Sequence, residues 1–436
     1  MPQVEGPLKQ RSERRLNYGT GDMISANLEP VWEMSVEISR GPRGPLAAAL
    51  LAVFTSDPAA AADVLRRVPV TSAAQLDDAV RAAQPGDMIL IAPGRYRSKL
   101  RFTGRNSGTK LAPIIMTARD GLGTVVIDGA GADITVKFSA SAHVQIKALD
   151  ITGGGYHGAF FDSGAHDIVI DGSRIYDNHG RGPLNSHAEL KGSGGKGRPR
   201  QITITNNEIF HTRHPPGGNF QGIDCNFCDD FLIAGNYLHD IREPTSEPYS
   251  HYDRGACIQM KSTSQNTLIE RNRIARCHIG IVLGGEGLAS PEHRGGIVRN
   301  NLIYDSDEIG IAIVNATGGT VTHNTLFRNG EAIRIAQDGR YPESQNQVDV
   351  TNNILDGPIR AMTEWEGTIK GNYFLEPNLA DQVFRNPSAR DFRLRATALA
   401  VIDQAVGMGS KVSNDYDGFV RPQGAGADIG AFEYRP

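Results

Sequence analysis

The chain has 436 residues, 39% hydrophobic and 22% charged, and its 45 basic and 49 acidic side chains leave a formal net charge of −4. With no long basic run, that balance argues against a nucleic-acid partner, and no apolar stretch is long enough to span a bilayer. Its 50 glycines, without a Gly-X-Y period, suit a protein built of many turns.

Residues 1–33 are polar, lack periodicity and are expected to be disordered. A charged segment from Met34 to Arg43 leads into an apolar stretch at 45–54 and small residues at 59–62. That order is the pattern of a signal peptide. It predicts cleavage near Ala62, a translation start at Met34 and a secreted or periplasmic protein; the alternative is a short apolar helix at the domain edge. Residues 1–62 therefore form a disordered, signal-peptide-like leader, and 63–94 an N-terminal cap. In the cap, Ser72-Ala-Ala-Gln75 is a capping box. Leu76, Ala79, Val80 and Ala83 follow at helical spacing, Pro85-Gly86 stops the helix, and a strand runs over 87–92. A helix here covers the open end of the structure that follows.

From 95 to 378 one phrase recurs: alternating apolar and polar residues, an Asn, then one more apolar residue. It is centred on Asn207, Asn236, Asn272, Asn301, Asn324, Asn353 and Asn372, in steps of 29, 36, 29, 23, 29 and 19 residues. Such a period marks a solenoid, and short β-branched strands of period two cannot be helical repeats. The fold class predicted is all-β, a right-handed parallel β-helix (solenoid) with an N-terminal capping helix and a C-terminal capping segment. A jelly roll or propeller is the competing all-β reading, and the irregular coil lengths argue against both. The Asn side chains are expected at one turn line, bonding from coil to coil.

A second strand precedes each Asn phrase, as in Ala188–Lys191, Ile223–Asn226 and Ile258–Lys261. Alternation sends Leu190, Ile223, Cys225, Ile258 and Met260 inward. Aligning these strands gives two outward columns, Glu189–Asp224–Gln259 and Lys191–Asn226–Lys261, which make one polar patch. His187 precedes the first of the three strands. Further along, the columns become Val282, Ala312, Gly284 and Val314. Long insertions at 192–200, 215–220 and 243–254 flank the patch, the last carrying His251, Tyr252, Asp253 and Arg254.

Residues 379–436 are expected to fold over the other end of the solenoid. Asp415, Asp417 and Asp428 suit either a cation or turn amides. Cys225 reads as a buried small apolar residue. Cys225-x-x-Cys228 has redox or zinc spacing, but no second pair accompanies it. Cys257 and Cys277, on successive strands of one coil, are candidates for a disulfide.

The stretch from Thr71 to Asp87, then Ile-Leu-Ile-Ala-Pro-Gly-Arg-Tyr96, with Asn106-Ser-Gly-Thr109 and Ala112-Pro-Ile-Ile115, resembles the start of the alginate lyase and chondroitinase B type of polysaccharide lyase. The likeness covers roughly residues 70–160 and then thins to the repeat pattern. It implies a carbohydrate-active β-helix in which a lysine at the end of a coil strand is the base, a position that Lys261-Ser262 matches. Two positions depart from that family. Arg254, Gly255 and Ala256 stand where it has calcium-binding acidic residues, and Gly284-Gly285 where it has an arginine.

β-Elimination at a uronic acid needs a neutralised carboxylate, a base and an acid for the leaving oxygen. The expected base is Lys261, with Lys191 or Arg254 lowering its pKa. Neutralisation falls to Asn226, Arg254 or a metal such as Ca²⁺ held by Glu189 and Asp224. Tyr252 or His251 is the expected acid, and Gln259 and His187 complete the substrate-binding set. The expected partner is an acidic polysaccharide, bound by a monomer. Three other readings stay open: a glycoside hydrolase using Glu189 and Asp224, a non-catalytic polysaccharide-binding β-helix, and a ladder of alternating charges that only decorates the strands.

Overall fold

The computed structural model describes residues 66–179, 187–213, 219–242, 255–285, 291–337, 346–407 and 412–436. Those residues form three parallel sheets of 14, 10 and 11 strands, each strand pairing with the equivalent strand one coil on. No helix among them is long and apolar enough to cross a membrane. The expected leader, with its cleavage near Ala62, lies outside the described residues.

The cap is α1 (Ala73–Ala82). Gln75 N donates to Ser72 Oγ at 3.3 Å, and the Gln75 side chain returns the contact by accepting from Thr71 N at 2.8 Å. The box thus closes one residue earlier than its usual form. Leu76 and Val80 are the buried face of α1.

The turn line is continuous. Asn236 Oδ1 accepts from both the backbone N and the side-chain Nδ2 of Asn207, each at 3.0 Å. The same double bond repeats from Asn236 to Asn272, Asn301, Asn324, Asn353 and Asn372. Asn207 through Asn353 are buried, and buried amides of this kind need every partner they can reach. The residue before each ladder Asn has positive φ: Asn206, Gly235, Arg271, Asn300, His323, Asn352 and Gly371. Left-handed backbone costs a non-glycine residue about 1 kcal/mol, which the ladder bonds offset. At Gly235 a Cβ would lie 2.7 Å from Asn206 Oδ1, so the Asn206 side chain would have to move aside.

The candidate site stands on the 10-stranded sheet, whose strands include β1 (His157–Asp162), β2 (His187–Ser193), β3 (Phe220–Asn226), β4 (Ala256–Lys261), β5 (Ile279–Gly284), β6 (Ile309–Val314) and β7 (Glu331–Ala336). Beneath it Phe102, Phe138 and Phe161 stack at 5.3 and 5.2 Å. Leu190, Ile223, Cys225, Ile258, Met260, Ile281 and Leu283 all point into the core, as the alternation requires. The Cys257–Cys277 disulfide is present. Cys225 is buried as expected, but it is bonded to Cys228 across the turn that follows β3.

The C-terminal segment covers the flank of the last coils. Phe384, Phe392, Val401, Ile429 and Phe432 pack on Ala275, Tyr304, Phe327 and Ile354, which line the outer face of the 11-stranded sheet. Buried Arg421 ties it down, bonding Glu433 at 2.5 Å and Asn300 at 3.2 Å. Asp415 and Asp428 accept from backbone amides, and Asp417 pairs with Arg393, so these three carboxylates serve turns and an ion pair.

Candidate functional site

The observed register corrects one of the expected columns. Lys191 pairs with Asp224 and Asp224 with Gln259; Ser193 pairs with Asn226 and Asn226 with Lys261. The step from β3 to β4 is as read from the sequence, whereas the step from β2 to β3 differs by two residues. Aligning the strand ends put Glu189 beside Asp224, but the core decides the register, and it pairs Leu190 with Ile223. Glu189 therefore falls level with Gly158 and Gly222. It belongs to an inward corner: a Cβ on Gly222 would meet Ile241 and Cys257, and one on Gly158 would lie 2.7 Å from Asn178 Nδ2. There Glu189 accepts from Asn178 N at 3.1 Å and Nδ2 at 2.6 Å, and faces His211 Nε2 at 3.2 Å. Glu189 and Asp224 do not share a face, so together they make neither a hydrolase pair nor a cation site.

The outward face gathers Lys191, Asp224, Asn226, Gln259 and Lys261. Lys191 Nζ donates to Asp224 Oδ2 and lies 3.4 Å from Asn226 Oδ1. Lys261 Nζ is 3.5 Å from Asp224 Oδ1 and 3.4 Å from Gln259 Oε1. Gln259 Nε2 donates to Gly284 O at 3.2 Å. Asp224, Gln259 and Lys261 are at most 1% exposed, so these groups are outward yet buried. Burial alone would push the Asp224 carboxyl up; Lys191 and then Lys261 outweigh it and hold it below the usual carboxylate range. Two ammonium groups thus share the Asp224 carboxylate. His187 is also buried, with its ring 5.3 Å from Tyr156. His251, Tyr252 and Arg254, and with them the loop over 243–254, lie outside the described residues.

The right-handed beta helix region family matches residues 136–359. The chain belongs to the right-handed β-helix family. Among solved structures, this β-helix is similar to pectate lyase Pel9A, with a TM-score of 0.60 and 16% identity over 85% of this chain and 96% of that one. It is similar to the lacto-N-biosidase from Eubacterium ramulus, with a TM-score of 0.50 and 11% identity over 71% of this chain and 68% of that one. It also matches the alginate lyase from Paenibacillus sp. str. FPU-7, with a TM-score of 0.46 and 18% identity over 71% of this chain and 99% of that one. No curated protein matches the chain by sequence. At these identities the likeness is one of fold, and fold does not fix chemistry.

Two residues of this β-helix site were missed in the sequence. His157, on β1, accepts from Ala188 N through Nδ1 at 3.2 Å. Burial first, then the repulsion of Lys191, lowers its pKa to about 3. The ring is thus neutral, with its proton on Nε2, and presents a fixed donor beside the cluster. Its place on the strand one coil before that of Lys191, level with Ala188, was the available signal. Glu292 accepts from Ser262 N at 2.8 Å and steadies the turn that follows Lys261. Among the described residues one group of potential metal ligands comes together, His143, His166 and Asp167, on the 14-stranded sheet and not at this site.

Proposed function

We propose that this β-helix is a polysaccharide lyase that cleaves a uronic-acid-containing polymer by β-elimination. The observation that carries the reading is the buried Lys191–Asp224–Lys261 cluster, two ammonium groups on one carboxylate, on the outer face of a parallel sheet. A uronate carboxylate is attracted to such a cluster, and Lys191 with Asn226 lies where it is met. Lys261, once deprotonated, takes the proton from the carbon beside that carboxylate. The electron pair becomes the new double bond, and the glycosidic oxygen leaves with a proton from an acid or water. Asp224 fixes both ammonium groups, and neutral His157 supplies a donor to the sugar. The likeness to a pectate lyase supports a uronic-acid polymer as substrate. The hydrolase reading needs two carboxylates flanking one bond; the engagement of Glu189 with Asn178 and His211 argues against it.

The protein is exported in this reading, through the leader over residues 34–62. Its two disulfides fit an oxidising compartment. N-terminal sequencing of secreted material should begin near Asp63; an intact Met1 in a cytoplasmic fraction rules export out. For the reaction, a panel of uronic-acid polymers followed by ultraviolet absorbance is the test. Lyase products absorb through the new double bond, whereas new reducing ends without absorbance mean hydrolysis. Neither signal means a binding protein.

A further inference from the structure

The outer face of the 14-stranded sheet carries a second polar cavity, of about 260 Å³, on a different sheet from Lys261. Its floor is two columns set by register: Thr320 beside Asp349, and Thr322 beside Thr351 beside Lys370. Val406 and Val412 form an apolar edge. At its base lies His323, 1% exposed. The Thr351 hydroxyl donates to Thr322 Oγ1 at 3.0 Å, and Thr322 Oγ1 contacts His323 Nδ1 at 2.8 Å. Nε2 of His323 has no hydrogen-bond partner among the described residues. A neutral imidazole has one donor and one acceptor, so whichever nitrogen holds the proton, Nε2 is an unfilled position. Nε2 is itself closed to solvent, and the groups open to a ligand are Thr320, Asp349, Thr351 and Lys370.

We propose that this cavity binds a neutral sugar ring, as a glycan-binding site separate from the Lys261 cluster. Hydroxyls that both donate and accept match sugar hydroxyls in either sense. Asp349 opposes an anion and Lys370 opposes a cation, so the lining selects against a net charge. The valine edge suits the C–H face of a pyranose, the usual mix of apolar wall and a few placed polar groups. Nothing in this inference depends on the lyase chemistry.

The test is saturation-transfer NMR on the full chain with D-glucose, D-galactose, D-mannose and L-rhamnose as probes, and D-galacturonate as the charged comparison. At least one neutral hexose is expected to receive transfer. Thr320→Val and Thr351→Val keep side-chain shape and remove a hydroxyl. Each is expected to weaken that binding about tenfold, with polymer cleavage unchanged. Transfer to none of the four hexoses, or equal affinity in both variants, overturns the proposal. Binding of galacturonate alone, lost in Lys370→Ala, also overturns it by making the cavity an anion site. Binding that persists in a chain without lyase activity still supports it, so the two readings fail separately.

Discussion

The outer face of the 10-stranded sheet changes character along its length. Over β1 to β4 it carries His157, Lys191, Asp224, Gln259 and Lys261; over β5 and β6 the equivalent positions are Ile279, Val282, Ile309, Ala312 and Val314, which form a buried apolar cluster with Ala256 and Ala336, before β7 returns to charge at Glu331 and Arg334. Both halves are buried, on one sheet, at one strand spacing. What separates them is that the first half holds charge out of water, where an unpaired charge is costly. It does so by placing one carboxylate between two ammonium groups. A polar outward column is thus informative where it is buried, since an exposed one is ordinary surface.

The strongest way to break this contrast is to remove Lys261. Lys261→Ala is expected to lower the rate of double-bond formation about 10²–10⁴-fold, the usual range for a lost general base. Lys261→Arg should fail almost as badly, because a guanidinium stays protonated. The side chain is buried, so Lys261→Met, which keeps its bulk, is the companion variant; full activity in it would return Lys261 to a structural role. With Lys261 as base, the rate should rise with pH as its proton is lost.

Asp224→Ala tests the pairing itself. It removes the carboxylate that both buried ammonium groups share, and the expected cost is about 3–5 kcal/mol of stability, read as a shift in denaturant midpoint. A change within error would mean the cluster is open to water.

Acid should expose the same burial. His157 at about 3 and His293 at about 4 are both held low by burial, and so is His323. The unfolded chain takes up these protons below about pH 6.5 and the folded chain does not, so their stability is whole above that and is lost as pH falls toward 4. Asp224, held low, adds stability that is present above the ordinary carboxylate range and lost as pH falls through its folded value. Denaturant titrations at pH 8 and pH 5 should differ by a few kcal/mol, with the pH 5 sample the weaker.

Gly158→Ala sharpens the register. Its Cβ would sit 2.7 Å from both Asn178 Nδ2 and Glu189 O, and overpacking of this kind costs about 1–3 kcal/mol. No loss on calorimetry would mean Glu189 does not face the corner. The smallest effect belongs to the apolar half, where Ala312→Ser should leave cleavage unchanged.

The Asn ladder was legible because an amide that bonds both neighbours must recur, and it stands out in the sequence as a repeated letter. The pairing of Cys257 with Cys277 was legible from coil geometry. The step from β2 to β3 was not: the strand ends were aligned, while the register follows Leu190 and Ile223 in the core. Nor could the left-handed turn be read at Arg271, a residue type that carries no such preference. Cys225 was read as apolar because alternation reports its direction and is silent about the neighbour three residues on. The C-terminal segment was expected over the end, but the outward Tyr304 and Phe327, which draw it to the flank, carried the opposite signal.

The ladder has a consequence for how such a molecule can vary. Its rungs sit at the same 2.9–3.0 Å whether the chain between them is 19 or 36 residues long. The added length of one coil over another is invisible to the turn line. Segments between rungs can therefore lengthen, shorten or be exchanged while the frame keeps time, and this scaffold can acquire a new specificity without having to learn to fold again.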